Sequence, residues 1–330
     1  MNVFYLTPKI KKIVRYEDDT TILKKLKRIF FNDRKASGGI QVIYEHADIL
    51  NENKIPSKVL SLGGRFNSIN ADWFDHKTSI SYLKEELKKI KEGDFIICPE
   101  VIPQEILKFK KGKKLLFVQN WALYREGSAE RYGFDGIIAL EGYCTEYMRE
   151  RSNLPIFSVL NGLDLDKFCY RKELKTPNTM LILYRKNQKD IDDFIEKFPD
   201  DLKDTFEFEV IYGHLEKNEL IKKYEKNDIY LSFGYPEGFA LPPLEAMGCG
   251  CVVVGFTGRG GDIHMIHNKT ALTSRDGDVE NLYTHLYRLK NESGLKEKLR
   301  VNGLEKIKEF SKQNMESSVL KLFKEVEDVL

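Results

Sequence analysis

Short apolar runs alternate with stretches in which apolar residues recur every three or four positions. Val3-Phe4-Tyr5-Leu6, Val59-Leu60, Phe95-Ile96-Ile97-Cys98 and Leu115-Leu116-Phe117-Val118 are runs of strand length in the first half. With the flanking turn residues they predict strands over 3–7, 58–62, 94–98, 114–119, 136–140 and 156–160. Ala36-Ser37-Gly38-Gly39 opens a helical pattern through Ile40, Val42, Ile43, Ala47 and Leu50, and further helices are predicted over 79–91 and 143–151. After a linker at 165–178, a second cycle predicts strands over 179–184, 207–212, 228–233 and 251–255. Helices fall between them at 189–198, 216–225 and 243–249, and three more close the chain at 279–291, 294–310 and 313–328.

Strand–helix alternation argues parallel α/β layering. Two cycles of similar size argue two Rossmann-like lobes, residues 1–165 and 166–330, with parallel sheets facing a cleft, and leave the last helix able to return to the first lobe. Hydrophobic residues at 42% and charged residues at 32% of the 330 positions fit a globular chain rather than a disordered one. No apolar run approaches the roughly 20 residues of a membrane span. The N-terminus lacks a basic region ahead of a long apolar stretch, so no secretory signal is expected, and five scattered cysteines fit a reducing cytoplasm.

Charge changes the picture in one place. The net charge is +2, but residues 9–35 hold ten basic groups against four acidic ones, a local excess of +6. Within this basic insertion Ile22, Leu23, Leu26, Ile29 and Phe30 share one helix face, with Lys24, Lys25, Lys27 and Arg28 opposite. The pattern suits a helix packed on its own domain or one lying on an anionic membrane surface. The basic groups form no stripe along the chain and no aromatic-rich motif accompanies them, which argues against nucleic acid.

The densest candidate chemistry is Glu237-Gly238-Phe239-Ala240-Leu241-Pro242-Pro243-Leu244-Glu245. A strand ends just before it, and Pro242-Pro243 suits the first turn of a helix. Amides at such a turn point outward and can meet an anion. Glu245 can accept the two hydroxyls of a ribose, and Glu237 can hold sugar hydroxyls near a reacting carbon. None of the six histidines has a second ligand at metal spacing, and Cys249 and Cys251 lack the further ligands of a zinc site.

Residues 237–250 resemble the paired-glutamate signature of retaining GT-B glycosyltransferases, the large family numbered four. Ser37-Gly38-Gly39 resembles the glycine loop facing the donor phosphates, Asn161-Gly162-Leu163-Asp164 with Phe168 resembles the lobe junction, and Gly260-Gly261 resembles a later glycine pair. The resemblance implies that Gly38, Gly39, Gly238, Phe239, Ala240, Leu241 and Glu245 contact a nucleotide-sugar donor. It makes Glu237, Arg185 and Lys189 the catalytic set, with Lys186 competing with Lys189 for the diphosphate. Gln119 and Asn120 stand where many relatives carry a histidine, and this variant resembles enzymes that build bacterial surface polysaccharides. They become acceptor-side candidates. The implied acceptor is a glycan or lipid-linked glycan, the implied chemistry retaining transfer without a cofactor or metal. Asp164-Leu165-Asp166 spells a metal motif of another fold but falls in the junction segment, where it reads as coincidence.

Overall fold

The computed structural model describes residues 1–8, 38–63, 75–213 and 215–330. The basic amphipathic segment therefore lies outside the described residues. The first sheet contains β1 (Val3–Thr7), β2 (Ser57–Ser61), β3 (Ile80–Tyr82), β4 (Phe95–Pro99), β5 (Lys113–Val118), β6 (Gly136–Leu140) and β7 (Ile156–Val159). Its order is β3-β2-β1-β4-β5-β6-β7, and every neighbouring pair is parallel. The second contains β8 (Thr176–Tyr184), β9 (Glu207–Tyr212), β10 (Asn227–Ser232), β11 (Val252–Phe256) and β12 (Ala271–Ser274), in the order β12-β11-β10-β8-β9, again all parallel.

The central strands β1, β4 and β10 are buried at every position, as expected of parallel strands covered on both faces. The main helices are α1 (Gly38–Glu52), α2 (Tyr143–Arg149), α3 (Gln188–Glu196), α4 (Lys217–Lys226), α5 (Leu241–Gly248), α6 (Val279–Asn291), α7 (Leu295–Lys306) and α8 (Lys312–Val329). Helix α1 turns Ile40, Val42, Ile43, Ala47 and Leu50 inward. Helix α8 buries Met315, Val319, Leu322, Phe323 and Val326, a stripe at helical spacing. It lays that stripe on the first lobe: the Phe323 and Phe95 rings meet edge to face, and the Leu160 amide donates to Ser318 Oγ at 2.9 Å. The chain thus crosses between lobes at two places, which pair with each other where the Leu163 amide donates to the Phe310 carbonyl at 2.7 Å.

Two predicted elements need correction. The stretch 79–91 is not one helix: it begins as edge strand β3, and one helical turn at Leu83–Glu86 and a 3-10 turn at Leu87–Lys89 follow. The apolar spacing is short enough to serve either period. The linker 165–178 also ends early, because β8 starts at Thr176. Strand β12 was not predicted.

Candidate functional site

Parallel sheets bind ligands beyond the carboxyl ends of their strands, at the point where strand order reverses. In the first sheet that point lies between β1 and β4; in the second it lies between β8 and β10. The two face each other across a cleft of about 590 Å³ lined by Gly38, Gly39, Gln119, Asn120, Arg185, Lys186, Glu237, Gly238, Phe239, Ala240, Leu241 and Glu245. One cavity thus gathers every candidate of the sequence reading except Lys189.

Glu237 follows β10, in a loop that pairs with the segment after β11: its amide donates to the Gly258 carbonyl at 2.9 Å. Its backbone carbonyl accepts from Trp121 Nε1 at 3.0 Å. Glu237 Oε1 lies 2.9 Å from Lys186 Nζ and 3.4 Å from Arg185 Nη2. The basic loop after β8 is locked to this acidic one. Asn187, in left-handed backbone, donates from Nδ2 to the carbonyls of Phe233 and Tyr235 at 2.7 and 2.9 Å. Lys189 belongs to α3, is 87% exposed and pairs with Asp193 at 3.1 Å. Lys186, not Lys189, is the lysine the structure brings to Glu237.

One glycine lets the lobes come this close, and a second lets the loop that carries it pack on its own lobe. A Cβ on Gly238 would fall 1.7 Å from the Gln119 carbonyl oxygen, and one on Gly260 would fall 2.4 Å from the Gly238 carbonyl carbon. The tip of the second lobe's loop therefore rests on first-lobe backbone. Ala240 then turns left-handed and α5 begins, with proline in its first turn.

Helix α5 buries Glu245 at the cleft wall, 5% exposed. Its Oε1 meets Lys217 Nζ at 2.6 Å and its Oε2 accepts from Tyr224 OH at 3.3 Å. Burial, then the Glu245 charge, pushes the Tyr224 hydroxyl well above the usual range, so it stays a donor. Two of about four lone-pair directions on the carboxylate are taken and two remain for a ligand. Lys217 lines the same cleft. Sequence reasoning missed it, since nothing along the chain links α4 to α5.

Glu100, immediately after β4, was missed too. It is 5% exposed, lines the cleft, and accepts the Asn120 amide on Oε1 at 2.9 Å. Burial lifts its pKa from 4.5 to about 7, against the opposing pull of nearby backbone amides. Asp164 of the apparent metal motif serves a turn instead: Oδ1 accepts the Asp166 amide, and Oδ2 pairs with Lys312 at 3.1 Å. Among the described residues no three metal-ligating side chains converge, and no helix is long and apolar enough to cross a membrane.

Residues 201–306, which hold Lys217, Glu237 and Glu245, match the family described as Glycosyl transferases group 1. Curated protein sequences give no match. Among solved structures, TarM of S. aureus is similar at TM-score 0.56 and 18% identity, over 73% of this chain and 57% of TarM. This chain thus spans less than two thirds of that protein's length. Sucrose-phosphate synthase from Thermosynechococcus elongatus aligns over 100% of both chains at TM-score 0.71 and 14% identity. Anabaena HepE, in complex with UDP and glucose, aligns over 98% of this chain and 100% of its own at TM-score 0.64 and 12% identity. The fold is GT-B, and residues 201–306 within it match the group 1 glycosyl transferase model.

Proposed function

We propose that this chain is a retaining glycosyltransferase that moves a sugar from a nucleoside-diphosphate sugar to a glycan or lipid-linked glycan. The observation that carries the reading is the convergence of Arg185, Lys186 and Glu237 in the cleft with the buried Glu245 beside them. Arg185 and Lys186 offer fixed positive charge to a diphosphate, whose negative charge grows as the glycosidic bond breaks. Gly38 and Gly39, at the start of α1, let backbone amides approach the same anion. Glu245 takes ribose hydroxyls with its two remaining lone-pair directions. Glu237 holds the sugar and, before a donor arrives, balances the two cations.

In this reading the bond from sugar carbon to phosphate oxygen breaks, and the acceptor oxygen bonds to that carbon on the same face. The departing diphosphate oxygen takes the acceptor's proton, so no side chain is a dedicated base. Two cations in the cleft supply the charge that a metal ion would otherwise bring, and we read the reaction as metal-independent. Neighbouring GT-B structures with UDP and a sugar support a donor of this class. The +6 excess over residues 9–35 supports contact with an anionic surface, where a lipid-linked acceptor would reside. Sedimentation with anionic vesicles at low salt, lost at high salt, is the expected behaviour.

A panel of UDP-, GDP- and dTDP-sugars tests the central reading by nucleotide release and thermal shift. A donor at 100 times its Kd stabilises the fold by about 2.7 kcal/mol. Thermal shift without release would make the chain a binding subunit. Neither response, with any donor, would sink the reading.

A further inference from the structure

We propose that Glu100 is the first-lobe residue that binds the reacting hydroxyl of the acceptor. The inference rests on the sugar-transfer reading of the cleft. Glu100 stands at the carboxyl end of β4, beside β1, where the strand order of the first sheet reverses. Such a switch point is where a ligand of this sheet is expected to sit. The glycine pair opening α1 follows β1 along the chain, and Glu100 follows β4, so the two outline this half of the cleft.

Other residues lining the cleft give the chemistry. Asn161 lines the same cleft at 2% exposure, and its Oδ1 has no hydrogen-bond partner among the described residues. Gln119 Oε1, packed beside Gly39, is likewise buried and unpartnered. In its charged form Glu100 adds carboxylate oxygens to these two amide oxygens, and all of them accept. A phosphate carries nothing to donate to them, and its charge would be repelled. A ligand rich in hydroxyls satisfies all three, and a buried acceptor left unmet is costly. The cleft is thus divided, with cations Arg185 and Lys186 on the second lobe for the diphosphate and acceptor oxygens on the first lobe for hydroxyls. Glu237, on the second-lobe loop, is already the sugar's carboxylate, so the lone pairs of Glu100 that backbone amides leave over fall to the incoming alcohol.

Glu100 shares the region with few titratable groups. Cys98 on β4 and Cys144 on α2 feel its charge, and burial pushes both thiols upward, Cys144 to about 12, so they remain neutral. Glu105, in the turn after β4, acts on Cys98 in the same sense. The charged groups lining the rest of the cleft are Arg185, Lys186, Lys217, Glu237 and Glu245. With its pKa near 7, Glu100 becomes a full hydrogen-bond acceptor as the pH rises through neutrality. It only holds and aims the hydroxyl; the proton leaves with the diphosphate.

The test is Glu100→Gln, which keeps an oxygen for the Asn120 amide and removes the charge. The donor is the one found in the nucleotide-sugar panel; the acceptors are water and a set of methyl glycosides. Loss of a charged hydrogen bond predicts a drop in kcat of about ten- to hundredfold. Donor Kd by calorimetry stays within about twofold, because only the acceptor contact is removed. A rise in wild-type rate near pH 7 disappears in the variant and returns in Glu100→Asp. A tenfold weaker donor Kd would assign Glu100 to the donor sugar and overturn the proposal. Unchanged kcat and pH profile would reduce Glu100 to a residue that only fixes the Asn120 turn, also overturning it. Wild-type protein that releases no nucleotide from any donor fails earlier and differently, and takes the sugar-transfer reading down with it.

Discussion

Glu100 and Glu245 are both buried carboxylates in one cleft, and their surroundings treat them differently. Glu245 has a lysine at 2.6 Å and a tyrosine hydroxyl; burial at Glu100 is opposed only by backbone amides, and its pKa rises from 4.5 to about 7. Below pH 4.5 both folded and unfolded chains carry the proton on Glu100. Between 4.5 and about 7 only the folded chain keeps it, so stability falls as pH rises, and above 7 the full loss is present. The shift corresponds to about 3 kcal/mol. Unfolding free energies of wild type and Glu100→Gln from urea titrations at pH 4.5 and 8 should diverge by about that much, the variant gaining at high pH. Lys217→Ala acts in the opposite way, stranding the Glu245 charge in a buried place. A cost of about 3–5 kcal/mol is expected in the same urea assay, with weaker donor binding in calorimetry. For the diphosphate, Lys186→Ala should slow turnover more than Lys189→Ala, since Lys186 faces Glu237 in the cleft and Lys189 pairs with Asp193 outside it. Equal losses in kcat for the two would show that the loop rearranges around the donor.

Position on strand ends explains what could and could not be seen from the chain alone. Glu237 and Glu245 were legible because both lie on one continuous loop and helix, where spacing and turn chemistry are local. Lys217 and Glu100 were not, because their meaning depends on strand order: α4 meets α5 only after β10 crosses beside β8, and β4 meets β1 only after the chain passes through β2 and β3. One local signal was present for Glu100, a carboxylate directly after the apolar run Phe95-Ile96-Ile97-Cys98. Strands β3 and β12, three and four residues long at the sheet edges, carry too few residues to show a period. Contact between loops was invisible for the same reason. Gly238 reads as an ordinary loop glycine, yet its Cα faces the Gln119 carbonyl with no room for a methyl group. Gly238→Ala must push the Glu237 loop off the first lobe. Overpacking of this kind costs about 1–3 kcal/mol, and the same displacement should lower kcat with less effect on donor Kd. A variant with wild-type kcat would mean that the contact between loops is not part of the active arrangement.

The two lobes are joined by paired chain crossings, and α8 makes the joint asymmetric: it follows the second lobe in sequence and completes the core of the first. Gly162 lies tight against the start of α8, where a Cβ would meet Met315 Cβ at 2.7 Å and the Ser311 carbonyl at 2.8 Å. Past this point the apolar stripe of α8 lies on the first lobe, with Phe323 1% exposed against Phe95. Removing a buried phenyl group costs about 3–5 kcal/mol. Phe323→Ala should therefore destabilise the first lobe, although residue 323 belongs by sequence to the second. A protein of two lobes need not unfold in one step, so the readouts can be separated. The two tryptophans, Trp73 and Trp121, both fall in the first-lobe sequence. Trp121 packs on Tyr143 and Tyr147 of first-lobe helix α2 and also meets the Glu237 carbonyl, so its fluorescence follows that lobe and its contact with the second-lobe loop, whereas far-ultraviolet circular dichroism follows helices in both. In Phe323→Ala the fluorescence midpoint in urea should fall by the larger amount, leaving a second-lobe transition in the dichroism. An unchanged fluorescence midpoint with a lowered dichroism midpoint would show instead that α8 stabilises the lobe it follows in sequence, and that the return of the chain adds little to the first lobe.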